Sequence, residues 1–312
     1  MFKFWKIGIL GLGLSLGSLG FADARQDADK LFAQRNDGSN DEERFAHSAS
    51  ALSAYKALYN ETRDLYYFEQ MGRLSVWMGG VLNNVELDKR KKVLSDCIET
   101  SEELAHHSDR QEPHYFYIGC VAAKGKISDF GERVLLGIRL RKAAPKALET
   151  TKVDGHYQGG YEGGGIHRVL GGVHSNFKAK ALLLFDPEKG VEYTSIAIET
   201  PERIVRPFPN PLSGADYFEN FYYNAQGTLA LGVDRKNREK IEEARGTLEA
   251  SINAINERAK PIDEKGTNNL PKGREPETLA YKDMMQSLLN TIDECDKSSD
   301  VFDCLYKKLT KD

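Results

Sequence analysis

His167 and His174 stand seven residues apart, two turns of a helix, and share a face if the segment is helical. The chemistry to test first is metal ligation. Two turns span about 10 Å, too far for one ion without a third ligand between, and no Met, Cys or carboxylate lies from Arg168 to Val173. A structural role is therefore expected for the pair, with no metal and no cofactor. Arg168 offers a second chemistry. Beside the free backbone N–H groups of a helix start, its guanidinium could hold a carboxylate ligand. The alternative is that His167 and Arg168 bond to the adjoining turn or to a neighbouring helix. His106, His107 and His114 read as a solvated helix end, or as a pH-sensing or metal group.

Tyr217, Phe218, Phe221, Tyr222 and Tyr223, with Tyr157 and Tyr161, could line a groove for an apolar or planar ligand. Consecutive aromatics on one helix equally serve packing between layers. Nucleophilic chemistry has no support: Ser48, Ser50 and Ser53 sit in no G-x-S-x-G elbow. The run GGYEGGGIHR has neither the lysine nor the preceding strand of a phosphate loop. No carboxylate pair stands out, so no catalytic residue is assigned and the chain is not expected to be an enzyme.

What must position these residues is the stretch from Gly155 to Asn176, which holds seven glycines between Gly159 and Gly172. Gly159, Gly160, Gly163, Gly164 and Gly165 read as a tight irregular turn, since glycine takes φ > 0 cheaply. Ile166, Val169, Leu170 and Val173 then recur at helical spacing. Gly171 and Gly172 fall inside that helix, where each costs about 1 kcal/mol against alanine. Such a cost is tolerated where another helix or a ligand comes close.

Helical periodicity dominates on both sides. Phe45 to Tyr59, Leu65 to Val81, Leu87 to His106 and Tyr115 to Ala123 read as successive helices. Thr62 is expected to cap the second. A further helix follows Gly125, and Pro145 is expected to open a short separate one. Lys189 to Glu199 is read as helix, although Tyr193 to Ile198 is the best strand candidate. Helices over about Gly214 to Leu231, Arg235 to Ala259, Glu277 to Ile292 and Val301 to Thr310 finish the chain. The pairs suggest an all-α fold, an α-solenoid or superhelix of degenerate tetratricopeptide-like antiparallel helix pairs. The expected organisation is a signal peptide over 1–24, a flexible lead-in over 25–40, the helical-repeat domain over 41–260, a linker over 261–276 and a helical hairpin over 277–312.

Lys3 and Lys6, the apolar run Ile7 to Phe21 and Ala22-Asp23-Ala24 together make the signal peptide, placing the mature start near Arg25. The mature protein is thus expected to be soluble, in the periplasm or secreted. The formal net charge is −4; losing Lys3, Lys6 and Asp23 leaves −5, and without a long basic run nucleic acid is not an expected partner. Four cysteines in an exported chain favour disulfides, and sequence proximity favours Cys97–Cys120 and Cys295–Cys304; the alternative is buried free thiols.

Three stretches carry a family resemblance: Leu74-Ser75-Val76-Trp77, Glu112-Pro113-His114-Tyr115-Phe116-Tyr117, and above all Gly163-Gly164-Gly165-Ile166-His167-Arg168-Val169-Leu170-Gly171. Together they resemble the T-component proteins of tripartite ATP-independent periplasmic (TRAP) transporters, over roughly Phe45 to Ala254. The resemblance implies an exported accessory of solute uptake that assembles with a periplasmic solute-binding protein. It also implies a helical ring or superhelix with an apolar pore or groove and a homo-oligomer such as a trimer, and it suits a small apolar ligand or the carboxylate that Arg168 could hold. Tyr157, Tyr161, His167, Arg168, Tyr217, Phe221 and Tyr222 would be its contact residues, with Gly163, Gly164, Gly165 and Gly171 as the structural turn. The competing expectation is a general scaffold for envelope protein complexes with no transport role.

Overall fold

A computed structural model describes residues 22–153, the backbone of 156–157, and residues 160–202, 211–262 and 267–311. The apolar signal run, Gly159 and the side chain of Tyr157 lie outside the described residues. The fold is all-α, with consecutive helices packed as adjacent pairs. The chain divides into two compact units, residues 1–97 and 98–312.

In the first unit, residues 22–33 are helical (α1), where the sequence reads a flexible lead-in. The physical reason is an anchor. Ala28 and Phe32 are buried, and the Asp29 carboxylate accepts from the Tyr55 and Tyr66 hydroxyls, each at 2.7 Å. Arg25 lies 4.2 Å over the Tyr66 ring. Helix α2 (Asp41–Thr62) opens on Asn40, whose side chain accepts from the Glu43 N–H at 3.0 Å. It ends on Arg63 in the left-handed region, φ 57°. Asp64 then caps α3 (Leu65–Val76) by accepting from the Tyr66 N–H at 2.9 Å. Thr62, the expected cap, instead donates to the carbonyl of Leu58 at 2.8 Å. A π turn over Trp77–Val81 closes α3, and α4 (Leu87–His106) begins in this unit.

The second unit holds α5 (Gln111–Ile127), α6 (Phe130–Glu149), α7 (Tyr161–His174), α8 (Pro187–Ile198), α9 (Phe218–Asp234), α10 (Arg238–Ala259), α11 (Glu275–Cys295) and α12 (Val301–Thr310). Helix α6 runs unbroken through Pro145, so the separate short helix expected there does not form. Between α6 and α7 a two-residue antiparallel ladder pairs β1 (Lys152–Val153) with β2 (His156–Tyr157). The segment from Tyr193 to Ile198 is helical, as read. Helix α7 packs on α5, α8 and α9, and α9, α10, α11 and α12 follow as neighbours. Leu229, Ile241, Leu248, Ile255, Met285, Ile292 and Leu305 form one core cluster.

The glycines inside α7 explain its contact with α8. A Cβ on Gly171 would sit 2.6 Å from Thr194 Cγ2 and 2.9 Å from the carbonyl oxygen of Gly190. Backbone meets backbone there, and no larger residue fits. One on Gly172 would meet the Tyr223 ring at 2.8 Å. Within the expected linker, Leu270 is buried in the core and the Asn269 N–H donates to the Arg258 carbonyl at 2.8 Å. Cys295 and Cys304 form the expected disulfide across the turn from α11 to α12. Cys97 and Cys120 are disulfide-bonded too, leaving no free thiol. Among the described residues, no helix is long and apolar enough to cross a membrane.

Candidate functional site

The glycine turn is built from left-handed backbone. Gly160 has φ 103°, and Glu162, Gly163 and Gly164 follow at 53°, 56° and 78°, so α7 becomes regular only at Gly165. Glycine holds this conformation without strain; Glu162 does not, at a cost of roughly 1–2 kcal/mol. Space is as restrictive as φ. A Cβ on Gly163 would lie 2.2 Å from the Tyr217 ring, and one on Gly164 would lie 2.5 Å from Ala197 Cα. On Gly165 it would meet the Tyr115 ring at 2.6 Å. The turn is thus wedged between α5, the end of α8 and the start of α9. Gln111 of α5 anchors its entrance: its side-chain oxygen accepts from the Tyr161 N–H at 2.7 Å while its amide donates to the Thr150 carbonyl at 2.9 Å.

Two arginines and two glutamates are buried against this turn. Arg274 Nη1 lies 3.3 Å from Glu162 Oε2, and Arg274 Nη2 bonds Glu219 Oε1. Arg168 Nη1 donates to the Glu162 carbonyl at 2.9 Å and to Asn220 Oδ1 at 3.1 Å; Nη2 donates to the Tyr115 hydroxyl at 3.2 Å and lies 3.8 Å from Glu219 Oε1. The Tyr217 ring is near both guanidinium carbons, 4.2 Å from that of Arg274 and 5.2 Å from that of Arg168. Asn220, fully buried, completes the junction. Its amide donates to the carbonyls of Gly163 at 3.0 Å, Gly214 at 2.7 Å and Ala197 at 3.3 Å.

Burial alone would weaken the charge on both arginines. For Arg168, the Tyr115 phenol and Glu219 outweigh it and raise the pKa above its ordinary value. For Arg274, Glu219, Tyr217 and Glu162 do the same. Both guanidiniums therefore stay charged, matched by two carboxylates. A carboxylate ligand at Arg168 would have to displace Glu219 or Asn220, so the guanidinium serves the protein's own groups first. What this arrangement does chemically is hold four chain segments in register.

The histidines share one face as expected, and that face packs on Tyr193 of α8: ring centroids lie 5.7 Å away for His167 and 5.8 Å for His174. His174 Nδ1 also bonds the Leu184 carbonyl at 2.7 Å. His106 and His107 are exposed, whereas His114 is buried with Nε2 bonded to the Ser108 carbonyl at 2.9 Å. Burial pushes His167 down to about 4 and lowers His114 and His174 as well.

The pH consequence has a definite sign. Between about 4 and the ordinary histidine value near 6.5 the unfolded chain binds a proton that folded His167 refuses. Stability is therefore full above that window and falls through it as pH drops, by roughly 3 kcal/mol from this group. Urea unfolding at pH 7 and pH 4.5 should show the loss, and His167→Phe should flatten the profile. An unchanged slope in that variant would remove the assignment to His167.

Of the expected contact residues, Tyr217 is fully buried inside the junction, its ring beside both guanidiniums. Tyr161 packs edge-on against Tyr115 and Phe116, at 5.6 and 5.9 Å. Phe221 and Tyr222 are half-buried on α9 beside the main core, away from the charge cluster's bonds, and Tyr222 lies 5.7 Å from Tyr281. The sequence reading missed Glu162, Glu219, Asn220 and Arg274. No family model matches the sequence, and no curated protein matches it.

Proposed function

We propose that the protein is an accessory, protein-interaction component of TRAP-type solute uptake, acting in the periplasm. The observation that carries the reading is the Gly163–Gly171 segment. The motif on which the resemblance rests is the same segment that locks α5, α7, α8 and α9 together through left-handed backbone and a buried charge cluster. A junction of that kind makes a stiff frame from helix pairs, suited to presenting a constant surface to a partner. The disulfides fit an oxidising compartment. The partner is a periplasmic solute-binding protein. A small apolar or carboxylate ligand would reach the half-buried aromatic side of α9, at Phe221 and Tyr222, rather than the occupied Arg168. Homo-oligomerisation belongs to the same reading.

Mixing the purified protein with the solute-binding protein of a TRAP system from the same organism, and measuring binding by calorimetry, tests this. A saturable complex is the expected result. No heat and no co-elution with any such protein, alongside capture of unrelated envelope complexes, would favour a general scaffold instead.

A further inference from the structure

Helix α6 buries Leu136, Gly137, Leu140, Ala147 and Leu148, and leaves Leu135, Ile138, Arg139 and Lys142 exposed on the opposite side. That outer surface is unusual for this chain. Among the described residues, four of the five most exposed large apolar side chains lie on α6 or on the turn packed beside it: Leu183 at 84 %, Phe130 at 65 %, Leu135 at 64 % and Ile138 at 56 %. The turn is in contact, since a Cβ on Gly137 would meet Leu182 Cδ1 at 2.8 Å and Arg141 donates to the Leu182 carbonyl. Leu183 projects from a left-handed residue, φ 56°. Large apolar side chains left this exposed, and gathered on one helix and the turn beside it, mark an interaction site.

The charge on this helix is as distinctive. Leu135, Ile138, Arg139 and Lys142 recur at helical spacing and share a face. Helix α6 carries five basic residues and two acidic ones, a net +3 in a chain whose formal net charge is −4. Both acids are already neutralised: Glu132 pairs with Lys124 and Glu149 with Lys152, each at 2.7 Å. Arg139 and Lys142 form no ion pair among the described residues.

We propose that the outer face of α6 docks on an anionic phospholipid surface, Leu135 and Ile138 entering the headgroup boundary with Phe130 and Leu183 while Arg139 and Lys142 meet the phosphates. Protruding apolar side chains flanked by cations are the pattern of a helix lying in a bilayer interface. A second copy of the chain is a poor occupant, because a symmetric contact would set these cations against each other. The proposal is independent of the uptake reading and stands or falls without it.

Co-sedimentation of the full chain with vesicles tests it, using phosphatidylcholine alone and phosphatidylcholine with about one-third phosphatidylglycerol. Partitioning onto the anionic vesicles should be at least ~10-fold stronger and should fade as salt shortens the screening length. The double variants Leu135→Ser/Ile138→Ser and Arg139→Glu/Lys142→Glu should each lose about 10-fold with unchanged thermal melts, since all four positions are exposed. Leu183→Ser, outside the helix, should weaken binding in the same direction. Equal partitioning onto both vesicle types, variants that bind like the parent, or an acidic protein held by this face with no vesicle binding would each overturn the proposal.

Discussion

Arg274→Ala should lower the stability of the protein by about 3–5 kcal/mol. The arginine is buried and faces the carboxylates of Glu162 and Glu219. Removing it leaves Arg168 alone, 3.8 Å from Glu219, to compensate two acids. Uncompensated buried charge is among the most destabilising changes a core can suffer, far beyond the ~1 kcal/mol of a surface pair. Arg274→Lys should recover only part of the loss, because an ammonium cannot fork between two carboxylates. Adding Glu219→Gln to Arg274→Ala should cost less than the two single losses summed, which a double-mutant cycle measures. Denaturant unfolding decides the matter; a loss within ~1 kcal/mol of zero for Arg274→Ala would show that the cluster is incidental.

Gly164→Val should cost about 4 kcal/mol, combining strain at a left-handed position with forced displacement of packed neighbours. At φ 78° a β-branched residue is unfavourable whatever the surroundings, and here its Cβ would also lie 2.5 Å from Ala197 Cα. Backbone cannot swing aside as a flexible side-chain tip can. Gly246→Ala is the internal control: it sits in helix α10 with nothing within 4 Å of the added Cβ. That change should be stabilising by about 0.5–1 kcal/mol through helix propensity. If both substitutions left the melting curve unmoved, the account of the turn would fail.

Much of this was legible in the sequence. The 3.6-residue periodicity of Phe45 to Tyr59 and of Ile166 to Val173 gives the helices directly, because each has a face to bury. Gly163, Gly164 and Gly165 announce a turn, and Gly171 announces a close approach by another helix or a ligand; the structure places α8 there. Proximity in sequence brought Cys295 to Cys304. Residues 25–40 look polar and read as a loose lead-in; what orders α1 is Asp29 meeting Tyr55 and Tyr66, residues far along the chain.

The charge cluster was invisible for the same reason. Arg274 lies 112 residues from Glu162, in a segment whose composition reads as linker. Local signals existed and were subtle: Glu162 is the one acid inside a glycine run, and Glu219-Asn220 is a polar pair set between Phe218 and Phe221. A polar residue on a buried face asks for a partner, but sequence alone does not say which.

Cross-linking in the cell, followed by capture of the chain and identification of the linked peptides, tests the proposed function most directly. The account predicts links from this protein to a TRAP solute-binding protein. Their absence, with reproducible links to unrelated envelope complexes, would contradict the uptake role and leave the locked helix pairs as the frame of a general scaffold.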